Sequence, residues 1–204
     1  MIVIVNYGLG NLRSVQKAFE RIRVKAAVSD DPEIISGASK LILPGVGNFS
    51  TGMKKLEEKN MRDLLTEKVI SQKTPILGIC LGMQLMTDFS EEGNCRGLGW
   101  IRAQTRKFRF NAESHELRIP HMGWNTLQLQ SSPEILSGIT EDSLLYFVHS
   151  YHVCCENPQD VIATTHYGYD FHSAFRSENI FGFQFHPEKS HKTGLALLKK
   201  FSEI

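Results

Sequence analysis

Cys80 lies in the stretch Pro75-Ile76-Leu77-Gly78-Ile79-Cys80-Leu81-Gly82-Met83-Gln84, where an apolar run breaks into Gly-x-Cys-x-Gly and then into a helical pattern. A side chain on so sharp a strand-to-helix turn projects its sulfur away from the sheet, and glycines on both sides let the backbone bend closely. Much further along comes His186-Pro187-Glu188, a base and a carboxylate two positions apart. A free thiol ionises near pH 8.5 and is only about 3% thiolate at neutral pH, so a nearby imidazolium and the positive end of a helix are useful activators. Together the two segments have the parts of a cysteine-histidine-carboxylate site. Residues two apart on an extended chain face the same way, and Pro187 biases His186 toward extended geometry.

The elements that would position these groups alternate strand and helix through the first ninety residues or so. Ile2 to Val5 read as a buried strand, because they are consecutive and rich in β-branched residues, and Gly8-Leu9-Gly10-Asn11 then turns the chain. Leu12, Val15, Phe19 and Ile22 recur at helical steps, with Asn11 placed to cap the helix. Val24 to Val28, Leu41 to Leu43 and Ile76 to Ile79 are further expected strands, and Met61, Leu64, Leu65 and Val69 form another helical stripe. That alternation suits a parallel sheet. Beyond it lie strand-like segments with little helix between them: Gly99 to Thr105, Lys107 to Phe110, Asn125 to Leu129, Ser143 to His149, Val161 to His166 and Ile180 to Phe185. A helix through Leu195, Leu198 and Phe201 closes the chain. The expected architecture is α/β, with a mostly parallel central sheet flanked by helices and an appended antiparallel β region, all in one domain over residues 1–204.

Composition narrows the function. A net charge of +1 on 204 residues, without a basic run, offers no general attraction for nucleic acid or an acidic membrane. The opening apolar run is too brief for a secretion signal or a membrane span, so a soluble cytoplasmic protein is expected. Cys80, Cys95, Cys154 and Cys155 show no Cys-x-x-Cys spacing and are expected as reduced thiols, the last three as small hydrophobes. His149 and His152 lie an odd number apart and would face opposite sides of a strand, which argues against a metal site. Gly8-Leu9-Gly10 follows a strand as dinucleotide-binding turns do, with Asp30 and Asp31 roughly where a ribose-binding acid falls, but the third glycine is absent. No metal and no cofactor are expected.

Leu43-Pro44-Gly45-Val46-Gly47, the Cys80 segment, Pro120-His121-Met122-Gly123-Trp124-Asn125, Phe147-Val148-His149-Ser150-Tyr151 and Phe185-His186-Pro187-Glu188-Lys189-Ser190 resemble class I glutamine amidotransferases, with a flavodoxin-like fold. More narrowly, they resemble the branch serving as glutaminase subunits of imidazole glycerol phosphate synthase. The likeness runs from Ile2 to Phe201, in the expected order. It implies hydrolysis of glutamine to glutamate and ammonia, with Cys80 as nucleophile, His186 as acid and base, and Glu188 orienting His186. Leu81 with the Val46 and Gly47 loop would form the oxyanion hole, and Gly45, Gln84, His149, Ser150 and Tyr151 would bind glutamine. Asn11, Arg13, His121, Met122 and Trp124 would meet a (β/α)8-barrel cyclase that receives the ammonia and makes imidazole glycerol phosphate in histidine biosynthesis.

Two alternatives stand beside that reading. Ser150 to Cys155, Ala163 to Phe171 and Lys189-Ser190-His191 also resemble a paralogous branch that supplies ammonia for amidinating surface-polysaccharide sugars, and the catalytic residues are common to both. A glutaminase-like binding module without turnover is the other.

Overall fold

The computed structural model describes residues 1–110, 117–131 and 133–204. The first half alternates strands and helices: β1 (Ile2–Val5), α1 (Leu12–Arg21), β2 (Ala26–Ser29), α2 (Pro32–Ser36), β3 (Lys40–Gly45), α3 (Phe49–Glu58), α4 (Met61–Thr66), β4 (Ile76–Cys80) and α5 (Leu81–Leu85). Then come β5 (Thr87–Ser90), β6 (Cys95–Arg96), β7 (Ile101–Lys107), β8 (His121–Asn125), β9 (Gln128–Leu129), β10 (Leu145–His149), β11 (Tyr151–Cys155), β12 (Val161–His166), β13 (Asp170–Ser177) and β14 (Ile180–Phe183), closed by α6 (His191–Glu203). No helix among the described residues is long and apolar enough to cross a membrane.

β2, β1, β3, β4 and β14 run parallel in that spatial order, and the register sets Gly45 beside Cys80 and Phe183 beside Ile79. Their carboxyl ends therefore share one edge, where ligands of open α/β sheets bind. β1 shows why its residues are continuously apolar. Ile2 and Ile4 pack into one core cluster and Val3 and Val5 into another on the opposite face. Each such fully buried aliphatic side chain contributes about 1.5–3 kcal/mol relative to exposure.

The expected antiparallel region is present, and most of it extends the central sheet. β13, β11, β7, β5 and β6 continue the same sheet beyond β14, most of these pairs antiparallel, and among the described residues only β8 and β10 form a second, two-stranded sheet. The expected strand from Lys107 to Phe110 does not form, because Lys107 ends β7 and Phe108 turns inward to pack against Phe171 and several histidines. The segment expected as one strand from Asn125 to Leu129 instead ends β8 at Asn125 and starts β9 at Gln128. His149 and His152, expected on one strand facing apart, belong to different strands separated by Ser150. Both rings approach Phe108, at 5.2 and 4.8 Å between centroids. α1 is capped as expected, the Asn11 side chain accepting from the Ser14 amide. Asp31 caps α2 and Asp30 pairs with Lys59, so both acids have structural partners.

α6 is pressed against the turn before it. A Cβ on Gly194 would sit 1.9 Å from the Pro187 carbonyl oxygen. Gly194→Ala must push the helix away from that turn and is expected to cost about 1–3 kcal/mol, read as a lower urea midpoint with an unchanged denaturant slope.

Candidate functional site

Cys80 ends β4 with φ 53° and ψ −109°, a left-handed backbone for a residue that carries a Cβ. Such a conformation costs about 1–3 kcal/mol and persists only where the surroundings impose it. Here they do. A Cβ on Gly82 would stand 1.7 Å from the Leu43 carbonyl oxygen, so only glycine lets α5 start this close to β3.

His186 follows β14 and is anchored by its amide, which donates to the Tyr146 carbonyl of β10 at 2.9 Å. Its carbonyl accepts from the Ser190 hydroxyl at 2.6 Å, and that hydroxyl accepts from the Tyr146 amide at 3.0 Å. Pro187–Lys189 form a 3₁₀ turn, so His186 and Glu188 meet through a turn rather than along the expected extended chain. His186 Nδ1 and Glu188 Oε1 lie 2.8 Å apart, with both side chains only 2% exposed. This leaves His186 Nε2 without a hydrogen-bond partner among the described residues. Burial opposes the charged imidazolium, but negative charge on Cys80 and Glu188 outweighs it and raises the His186 pKa to about 10.

Val46, Gly47, Cys80, Leu81, Gln84, His149, Ser150 and Tyr151, all expected at the site, line one cavity of about 280 Å³ together with Val148, Pro120 and Glu92. Gly45 lies beneath this lining, packed against the Tyr7 hydroxyl and Leu81. The Gln84 amide is already engaged: its Nε2 donates to the Tyr151 carbonyl at 2.9 Å and to Gln184 Oε1 at 3.0 Å. His121 departs from its expected place at an interface. Strand alternation turns its ring inward, 3% exposed and 3.1 Å from His149, while Met122 and Trp124 of β8 are 63% and 44% exposed. Asn11 and Arg13 are exposed, and the turn before them abuts Pro44. A larger groove, about 1010 Å³, lies beside Trp124, Leu144 and His191, away from the thiol.

Sequence reasoning missed Gln184 and Tyr7. Gln184 is fully buried and its Nε2 donates to Cys80 Sγ at 3.7 Å. A single polar residue inside the Phe181-Gly182-Phe183-Gln184-Phe185 run was the available signal, since a buried amide needs partners. Tyr7 is also fully buried, its hydroxyl without a hydrogen-bond partner among the described residues, and burial and negative charge on Cys80 push its pKa far up. The other thiols are half-buried rather than fully buried, and burial raises all three, Cys155 to about 12.

The sequence model of the family described as glutamine amidotransferase class-I matches residues 3–203. The chain is 48% identical over 201 residues to "Imidazole glycerol phosphate synthase subunit HisH 2" of Methanococcus maripaludis, covering 98% of each chain. It is 46% identical to the protein of the same name in Pseudomonas aeruginosa and 42% identical to "Imidazole glycerol phosphate synthase subunit HisH" of Leptospira borgpetersenii, each over 204 residues and 100% of both chains. In fold it is similar to "Structure of PurLQS from Thermotoga maritima", with a TM-score of 0.72 at 17% identity, covering 99% of this chain and 97% of that one.

Two pH effects follow from these surroundings. Substituting Cys80 by Ser removes a source of negative charge, so the His186 titration followed by NMR is expected to move down from about 10. Because the folded pKa lies above the ordinary 6.5, this group's stabilisation is complete below pH 6.5 and is lost as pH rises through about 10. The opposite holds for His121 and His152, which burial lowers to about 4, and for His149, which burial holds well below the ordinary 6.5. Unfolding lets those rings bind protons, so stability is expected to fall as pH drops from 6.5 toward 4. Each ring contributes up to about 1.4 kcal/mol per pH unit, measured by urea denaturation across that range.

Proposed function

Because the chain belongs to the class-I glutamine amidotransferases, we propose that it is the glutaminase subunit of an imidazole glycerol phosphate synthase and that Cys80, His186 and Glu188 carry its chemistry. Glutamine hydrolysis through a cysteine nucleophile comes with the family. The assignment of roles rests on one observation above the others. The buried 2.8 Å contact between His186 and Glu188 occupies Nδ1 and leaves Nε2 to serve Cys80.

In this reading the Cys80 sulfur attacks the side-chain carbonyl carbon of glutamine, and the carbonyl electron pair moves onto oxygen. The Leu81 amide and donors from the Val46 and Gly47 loop stabilise that charge, each worth about 3 kcal/mol in the transition state. As the intermediate collapses the carbon–nitrogen bond breaks, and His186 gives the Nε2 proton to the departing ammonia. A glutamyl thioester remains on Cys80. His186, now neutral, takes a proton from water as the water oxygen attacks the thioester, and glutamate leaves as the carbon–sulfur bond breaks. Glu188 holds the ring in place and favours its charged form at each stage. Gly45, Gln84, His149, Ser150 and Tyr151 provide the pocket for the amino-acid end of the substrate.

Ammonia released into bulk water is protonated and diluted, so it needs a sheltered route to an acceptor. The partner is a (β/α)8-barrel synthase subunit, consistent with the subunit names of the relatives. Its docking surface is the face carrying Met122 and Trp124, two large exposed apolar residues on one strand, extended by Trp124 stacked on His191 at 4.9 Å. Asn11 and Arg13 complete that surface. The same relatives' names favour histidine biosynthesis over amidination of a surface sugar.

Cys80→Ala, assembled with the synthase subunit, is expected to lower glutamine-dependent product formation by at least about 10³-fold and to leave formation from added ammonium salts within twofold. Equal loss of both activities would count against a nucleophilic role for Cys80.

A further inference from the structure

Two buried histidines outside the triad form a hydrogen-bonded chain that ends at the candidate glutamine pocket. His121 Nδ1 lies 3.1 Å from His149 Nε2, and His149 Nδ1 lies 2.8 Å from the Tyr151 carbonyl oxygen. At the other end Asn125 Nδ2 lies 3.3 Å from His121 Nε2.

The direction of this chain is fixed from both ends. Asn125 Oδ1 accepts from the Thr126 amide at 2.8 Å and its Nδ2 donates to the His166 carbonyl at 3.0 Å, which settles which amide atom faces His121. A donor there makes His121 Nε2 an acceptor, so the ring's proton is on Nδ1 and points at His149. From the far end, the Tyr151 carbonyl has only lone pairs, so His149 Nδ1 must carry the proton and Nε2 must accept. The two requirements meet at the central 3.1 Å contact with one donor and one acceptor. Either ring with the opposite tautomer, or with a second proton, would set two donors or two acceptors face to face inside the protein. The surroundings suit neutral rings, since His121 stacks on Tyr167 at 4.0 Å and on Phe147 at 4.9 Å, and His149 packs on Phe108 and Phe171.

The terminus of the chain matters to the pocket. The Tyr151 carbonyl also accepts from Gln84, whose amide is bonded to Gln184, which in turn reaches Cys80 Sγ. His149, Ser150 and Tyr151 themselves line the cavity at the point where the backbone leaves the small sheet for the large one. We infer that His121 is a positioning residue: with Asn125 it orients His149, and through His149 it fixes the Tyr151 carbonyl and the backbone that receives the amino-acid end of glutamine. The inference rests on reading that cavity as the glutamine site.

The experiment pairs a direct observation of the protons with a kinetic one. Nitrogen-15 NMR of the histidine rings in the wild-type chain at pH 7 should show His121 and His149 both neutral and both protonated on Nδ1. The other tautomer, or an imidazolium, at either ring overturns the inference. That measurement needs no turnover, so it succeeds or fails independently of the catalytic reading. With the synthase subunit bound, His121→Phe keeps a ring to stack but removes the donor. It should raise KM for glutamine about tenfold, the cost of an unsatisfied buried acceptor, with kcat changed less than twofold. His121→Asn, whose amide nitrogen occupies the Nδ1 position, should bring KM back to within about threefold of wild type. An unchanged KM in a folded His121→Phe chain, or a fall in kcat alone, overturns the inference. Should that variant not fold, the tautomer measurement decides.

Discussion

The backbone turn at Cys80 is the constraint from which the site follows. β4 must stop, reverse its backbone sign at a residue with a Cβ, and start a helix within one step. That is possible because β3 runs parallel beside it and its Leu43 carbonyl leaves room only for the bare Cα of Gly82. The parallel sheet then supplies everything else from the same edge. β3 runs on into the Val46 and Gly47 loop, and β14, paired with β4 on its other side, runs on into Gln184 and His186. One strained residue is held by three strands whose register brings distant segments of sequence together.

Electrostatics divides the buried histidines into two kinds. His186 has a buried carboxylate at one nitrogen and the Cys80 sulfur toward the other, and its charged form is favoured despite burial. His121, His149 and His152 lie among aromatic rings with no acidic hydrogen-bond partner among the described residues, and burial lowers their pKa values so that the neutral ring is favoured. The first arrangement suits a proton donor beside a thiolate. The second suits fixed hydrogen-bond geometry, which a titrating group could not give. His121, His149 and His152 share an aromatic cluster with Phe108 and Phe171, whereas His186 meets Tyr146.

Much of this was legible in the sequence, for physical reasons that differ by element. β1 and β4 were readable because strands buried on both faces are continuously apolar, and the Cys80 turn because its glycines flank a single thiol. Asn11 declared itself as a cap by its place before an amphipathic stripe. The second half was harder. Its strands were visible, but nothing local says that β13 and β11 extend the central sheet while β8 and β10 leave it, because strand partners are chosen by long-range packing. The break at Ser150 hid that His149 and His152 converge, and the alternation of β8 put His121 on the inner face although its neighbours Met122 and Trp124 are outside. Gln184 was hidden within an aromatic run whose polar member reads as a surface residue until the strand is known to be buried on both sides.

The central claim is that the thiol at the end of β4 is the group that meets glutamine's carbonyl. A chloroketone analogue of glutamine tests it most directly, since alkylation marks the sulfur that lies where the substrate carbon binds. With the synthase subunit bound, peptide mapping by mass spectrometry should find one label per chain, on Cys80, with glutamine protecting against it. Modification of Cys95, Cys154 or Cys155 in preference to Cys80, or labelling of Cys80 that glutamine does not slow, would contradict the account.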